Sequence, residues 1–339
     1  MKTITALATL AFASCTGHRP PDFDVSPTLQ KQVVRGVFAA LDDHYVFPER
    51  LPAYRAQLLA RWETADFGRL DRAHKLVDRM NQDFHEVVND GHLSLRLAAA
   101  FPDEAFGDPG AIDPATLAKL EELDRKSGFG IGKVEVHEGN IGYLELQAFA
   151  NKSPGQSAAY ASAMAKLKDT RALILDLRRN GGGDGDAVAD LAGYLLDHKT
   201  LLQYDVPRHG EPLEHFSAEA VAGPRYGEER PVYVLTSRDT YSAAEECAYD
   251  LQTRKRATVV GDRSGGGANH NRLVRIAGKF ALSVPYMTTR NAVTGTNWEG
   301  TGVQPDVKVA PGDALAAAER LAREAAARRE RTEGSAKGG

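Results

Sequence analysis

The sequence predicts an α/β fold preceded by a bundle of N-terminal helices. Three observations carry that reading. Before residue 95, apolar residues recur at the four-residue spacing of a helix face. Beyond residue 130, near-continuous apolar runs alternate with helical stretches, as in a sheet covered on both faces. Several of the 32 glycines cluster at the ends of those runs, where the backbone must turn tightly.

Residues 1–14 read as a signal peptide, because Lys2 precedes a short apolar run that closes on small residues. That run is too short to span a membrane. Residues 15–26 are a tether. Cys15 follows Phe-Ala-Ser, and the stretch resembles the lipobox of bacterial lipoproteins, which implies lipidation at Cys15; plain secretion is the alternative. Residues 27–95 form an N-terminal helical domain, with Val33, Val37, Leu41 and Tyr45 as one stripe and further helices near 58–62 and 70–84. Residues 96–130 read as a linker, since Pro102, Pro109 and Pro114 interrupt them.

Residues 131–311 form the core. The stretch FGIGKVEVHEGNIGYLELQAF reads as strand, turn, strand, and residues 155–169 as a helix. RALILDL, PVYVLTS and RATVVG read as buried strands, with helices at 187–196 and 242–254 between them. KFALSVPYMTTR alternates and would make the sheet mixed. Residues 312–339 are a C-terminal helix, rich in alanine, arginine and glutamate, and a frayed tail.

Composition narrows the function. Lysine and arginine total 42 against 46 acids, a formal charge of -4, so there is no cationic excess to neutralise a nucleic-acid backbone. Two cysteines exclude a disulfide scaffold and a Cys-rich metal site. Cys247, in AAEECAYDL, reads as a small buried hydrophobe rather than a nucleophile.

Ligands of open α/β sheets sit beyond the carboxyl ends of strands. Two loops hold that position here, Asn180 to Gly183 and Ser237 to Ser242. Glycines let backbone N–H groups approach a carboxylate or a developing oxyanion. Ser242 opens a helix, and Glu245 completes a capping-box pattern, so Ser242 is either a helix cap or a nucleophile. His92, in NDGHLSL, and His270, in GGGANHN, are candidate bases or ordinary surface histidines. Glu299 lies beside Trp298 and is an orienting acid or a turn residue. HEVVNDGH is not HExxH, because Asn89 holds the last position, and no phosphate-loop motif is present. No metal and no cofactor is expected.

Six ordered segments then resemble peptidase family S41, the tail-specific proteases: DGHLSL, GNIGYLEL, ALILDLRRNGGG, VLTSRDTYSAAEECAYDL, VVGDRSGGGAN and TGTNWEGTGVQPD. The branch is the one similar to interphotoreceptor retinoid-binding protein and the tricorn protease core, without a PDZ domain, for which 96–130 is too short. The resemblance implies a ClpP/crotonase-like ββα core and a serine endopeptidase acting through an acyl-enzyme. By motif it implies Ser242 as nucleophile, His92 as base, Glu299 as orienting acid, and the N–H groups of Ala243 and Gly182 as oxyanion hole. The Thr-x-Gly-Lys-Gly segment of lysine-using relatives reads DRSGGGANHN here, without lysine, so a Ser-His-Glu relay is expected rather than Ser-Lys. The implied substrate is a peptide or unfolded protein, and the implied location is the periplasm or cell envelope. The alternatives are a non-catalytic binding protein for an apolar ligand or peptide, a hydrolase of small esters or amides, and an envelope scaffold.

Overall fold

The computed structural model describes residues 20–107 and 114–337. The signal peptide and Cys15 lie outside them. In chain order the elements open with α1 (Pro27–His44), α2 (Leu51–Trp62), α3 (Ala65–Gly68), α4 (Ala73–Val87), β1 (Ser94–Leu97) and α5 (Pro114–Lys126). Then come β2 (Ile131–His137), β3 (Ile141–Leu146), α6 (Pro154–Leu167), β4 (Ala172–Asp176) and α7 (Gly185–Leu195). They are followed by β5 (Leu201–Pro207), β6 (Leu213–Phe216), β7 (Val232–Thr236), α8 (Ala243–Thr253) and β8 (Thr258–Gly261). The chain ends with β9 (His270–Ile276), β10 (Phe280–Asn291), β11 (Val307–Lys308) and α9 (Ala314–Lys337).

Two compact units form. The first takes the described part of Met1–Asp113 with Asp205–Leu213 and Asn269–Thr289. Its helices start where the chemistry favours it: Ser26 caps α1 by accepting the Leu29 N–H at 3.2 Å, with Pro27 in the first turn. Leu76, Met80 and Phe84 of α4 share one face and enter a core with Val33, Val37 and Leu41 of α1. Buried Asp83 sits in that face because Trp62 Nε1 and Arg79 Nε donate to it, each at 2.9 Å. β10 supplies Phe280, Leu282 and Val284 to the same core and pairs antiparallel with β1 and β9.

The second unit takes Pro114–Tyr204, Glu214–Ala268 and Arg290–Gly339. Its six strands run in the order β11-β8-β7-β4-β3-β2. Neighbours from β3 to β11 are parallel, and only the β2–β3 edge is antiparallel. The apolar runs of the sequence are explained by a two-sided burial. Leu173 and Leu175 of β4, with Val232 and Val234 of β7, join one core with residues of α6, α7 and α8. Their alternates, Ala172, Ile174, Tyr233 and Leu235, pack with Ala314, Ala317, Ala318 and Ala322 of α9.

The ClpP/crotonase-like ββα core expected from the sequence is corrected by this topology. Of the sheet's units only β2-β3-α6 has ββα order. β4 and β7 each enter as a single strand followed by chain that leaves the sheet, and each pairs in parallel with its neighbour. The result is a mixed sheet with an antiparallel edge, and β10 belongs to a different, antiparallel sheet. Tertiary pairing decided this: β10 was expected in the core sheet, but its register with β1 places Ser283 opposite Ser94.

Candidate active site

β4 and β7 are parallel neighbours, so the loops leaving their carboxyl ends emerge side by side. Ser237 Oγ donates to the Arg178 carbonyl at 2.6 Å, and Thr240 Oγ1 donates to the Leu177 carbonyl at 2.8 Å. Asn180, fully buried, accepts the Tyr241 N–H on its carbonyl at 3.0 Å and the Gly182 N–H on Oδ1 at 2.9 Å. These bonds hold the glycine loop against the residues that lead into α8.

Ser242 occupies the helix entrance with φ 54° and ψ -123°. A side chain rarely adopts this backbone, and a serine held there is strained. The same strand–sharp turn–helix geometry presents nucleophiles elsewhere. What holds it is Glu245, which the sequence marked only as a capping partner. Glu245 is fully buried and accepts the Ser242 N–H at 2.9 Å, Ser264 Oγ at 2.5 Å, and the N–H groups of Gly266 and Gly267 at 2.6 and 2.8 Å. Burial raises its carboxyl above the ordinary range, while those four donors oppose the rise.

Gly182 faces Ser242 closely. With φ +107°, a Cβ there would lie 2.8 Å from Ser242 Cβ and 3.1 Å from Ala243 N. The missing side chain therefore leaves room beside the Ala243 N–H. The Gly182 N–H itself is donated to Asn180. Gly183 bridges Phe149 in parallel, with Phe149 N–H on the Gly182 carbonyl and Asp184 N–H on the Phe149 carbonyl, so the Gly183 N–H points away from Phe149.

Glu299 belongs to the same unit. Its Oε2 accepts the Ala268 N–H at 2.6 Å, and its own N–H donates to Asn297 Oδ1 at 3.0 Å. Trp298 is buried beside it, donating Nε1 to the Gly267 carbonyl at 2.9 Å. A chain of bonds thus runs from Ser242 through Glu245 and Gly267 to the Trp298–Glu299 turn.

His92 belongs to the first unit. Its N–H closes a turn on Asp90 Oδ1 at 3.1 Å, and its carbonyl accepts Ser283 Oγ at 2.6 Å. Burial, aided by His270, pushes its imidazole down to about 3. An NMR titration should therefore find the His92 ring neutral and unshifted from pH 5 to 8; a midpoint near 6.5 would contradict this environment. Cys247 is buried, as expected, and burial pushes its thiol up.

Asp184 caps α7 directly after the glycines, accepting the Asp186 N–H at 3.0 Å and the Lys152 N–H at 2.7 Å. Burial, with Asp186 adding to it, lifts its carboxyl from 3.8 to about 7. A carboxyl raised on folding favours the protonated native state, so its contribution is full below pH 3.8 and lost as pH rises towards 7. Asp184→Asn keeps the cap and should flatten that decline in urea midpoints between pH 4 and 7; an unchanged slope would rule Asp184 out as its source.

With this geometry in place, comparison with known proteins identifies the class. Residues 140–309 match Peptidase family S41, and residues 28–124 match the N-terminal domain of Peptidase_S41 in eukaryotic IRBP. The chain belongs to peptidase family S41. A carboxy-terminal-processing protease of Bartonella bacilliformis is 29% identical over 251 residues, covering 67% of this chain and 54% of that protein. A carboxyl-terminal-processing protease of Synechocystis is 35% identical over 127 residues, covering 38% and 28%. The chain thus spans about half the length of the first relative and less of the second. A solved structure of a provisionally assigned peptidase from Parabacteroides merdae superposes with TM-score 0.61 at 20% identity, covering 88% of this chain and 97% of that one. This likeness in fold supports an S41-type α/β arrangement with N-terminal helices, in agreement with the corrected topology.

The Ser242–His92–Glu299 relay is corrected as well. The carboxyl-terminal-processing proteases to which the chain is related characteristically use a serine–lysine dyad, not serine, histidine and glutamate. The surroundings of His92 agree with the correction, since an imidazole held at about 3 is a poor proton acceptor near neutral pH.

Proposed function

We propose that the chain is a serine endopeptidase that cleaves peptides or unfolded proteins, with Ser242 as nucleophile. The observation that carries this reading is the strained backbone of Ser242 at the entrance of α8, facing a glycine without a side chain. A helix cap alone needs neither feature, because ordinary caps sit in the extended region. The hydroxyl oxygen attacks the substrate carbonyl, and the tetrahedral oxyanion forms beside the Ala243 N–H. The glycine loop supplies the second donor, from Gly183 rather than Gly182, since the latter's N–H is already given to Asn180. Collapse of the intermediate breaks the carbon–nitrogen bond, the amine departs with the proton that the Ser242 hydroxyl gave up on attack, and the acyl-Ser242 ester left behind is hydrolysed by water to a new carboxyl terminus and the free hydroxyl.

Export is proposed from the signal-like residues 1–14, with Cys15 as a lipid anchor in the finer form of the proposal. Chloroplastic relatives support a location outside the cytoplasm. Among the described residues no helix is long and apolar enough to cross a membrane.

The test is digestion of casein by wild type and Ser242→Ala in parallel, with mass spectrometry of the products. Cleavage by wild type alone is expected. Equal cleavage by both, or none by either, would move the reading to a binding role on the same fold.

A further inference from the structure

We infer that Asn180 is a positioning residue for the oxyanion site; this rests on the serine peptidase reading above. Asn180 makes three bonds, two through its backbone and one through its side-chain oxygen. Its N–H donates to the Leu177 carbonyl at the end of β4, its carbonyl holds the Tyr241 N–H next to the nucleophile, and its Oδ1 takes the Gly182 N–H. The two loops therefore share one buried side chain and its backbone.

The consequence is a choice among the loop amides. An oxyanion donor must be free, and its position must not change when charge develops. By taking the Gly182 N–H, Asn180 removes one amide from use and turns Gly182 into the conformation that faces Ser242 Cβ. The next amide, that of Gly183, is directed away from Phe149. The side-chain nitrogen, Nδ2, is buried and has no hydrogen-bond partner among the described residues. Such a donor is costly to bury. Only the acceptor half of the amide is used.

This asymmetry sets the test. Asn180→Ala removes the acceptor and frees the Gly182 N–H to turn. Asn180→Asp keeps an acceptor of the same shape at Oδ1 and exchanges the unpartnered nitrogen for a second carboxyl oxygen, whose buried charge accounts for the loss that remains. Both variants, wild type and Ser242→Ala are assayed on a fluorogenic peptide built from a casein cleavage site. A tripeptide aldehyde, which forms a tetrahedral adduct with a serine, and the product peptide serve as inhibitors.

For Asn180→Ala, kcat should fall about 100-fold, with KM and product affinity changed less than about 2-fold, and aldehyde affinity should fall in step with kcat. Asn180→Asp should recover kcat to within about 10-fold of wild type. A folded Asn180→Ala with wild-type kcat and aldehyde affinity overturns the inference. So does a parallel loss of product affinity, which marks a structural role. If Asn180→Ala does not fold, Asn180→Asp decides: a loss as large as that of Ser242→Ala contradicts the acceptor argument. Failure of wild type to cleave the peptide, or aldehyde binding that survives Ser242→Ala, overturns the peptidase reading itself and this inference with it.

Discussion

Ser242→Ala is expected to abolish turnover, by at least about a thousandfold, while the far-UV spectrum and cooperative unfolding stay native. The argument has two parts. The hydroxyl is the only group lost, and the backbone bonds of residue 242 to Glu245 and Glu246 remain available to alanine. A companion variant separates chemistry from strain. Ser242→Gly also loses the nucleophile, but glycine adopts φ 54° without penalty. It should therefore be more stable than Ser242→Ala by about 1 kcal/mol. Chemical denaturation of the two variants checks this. Equal stabilities would mean that Ser242 is relaxed in its turn, and the structural basis for calling it a nucleophile would be lost.

Gly182→Ala is the second large effect expected. Its Cβ would stand 2.8 Å from Ser242 Cβ and from the Tyr241 carbonyl oxygen, and 3.1 Å from Ala243 N. The first two separations are shorter than real Cβ contacts, so something must shift. The partners are backbone and a Cβ, which cannot rotate away. The added methyl also fills the space next to the Ala243 N–H that an oxyanion would enter. Loss of one donor in such a hole costs about 100- to 1000-fold in kcat. Because φ +107° also strains alanine, the unfolding midpoint should drop too. The diagnostic result is a fall in kcat at a temperature where the variant is still fully folded. Unchanged kcat under that condition would place the oxyanion elsewhere.

Much of the second unit was legible because burial on both faces leaves a direct mark. β4 and β7 read as unbroken apolar runs since their alternate residues feed cores on opposite sides of one sheet. Other elements leave no such mark. β6 carries Leu-Glu-His-Phe with its first two residues exposed, so neither alternation nor an apolar run announces a strand. Helix α5 lies where prolines suggested a linker, and exposed Leu117 and Leu123 blur its amphipathic pattern. β10 was visible as an alternating strand, but alternation does not say which sheet a strand joins. Its pairing with β1 and β9 is a long-range choice.

The site divides in the same way. Ser242 and the glycine loop were visible through strand-end position and residue type. The strain at Ser242 was not, because it comes from bonds between Glu245 and the distant Ser264–Gly267 segment. The Asn180–Gly182 bond was missed although a signal existed: asparagine followed two residues later by glycine is the pattern of a side-chain-closed turn. The histidine relay failed for another reason. A motif gives the residue type at position 92 but not its burial, and burial sets whether an imidazole can hold a proton.

Reaction with a fluorophosphonate tests the central claim most directly, since it reports an activated serine without knowledge of the substrate. Wild type and Ser242→Ala would be incubated with the reagent, weighed intact, and digested to locate the adduct. The account predicts a single adduct on wild type, on the peptide that carries Ser242, and none on the variant. An unmodified wild type, or an adduct that persists in Ser242→Ala, would contradict it.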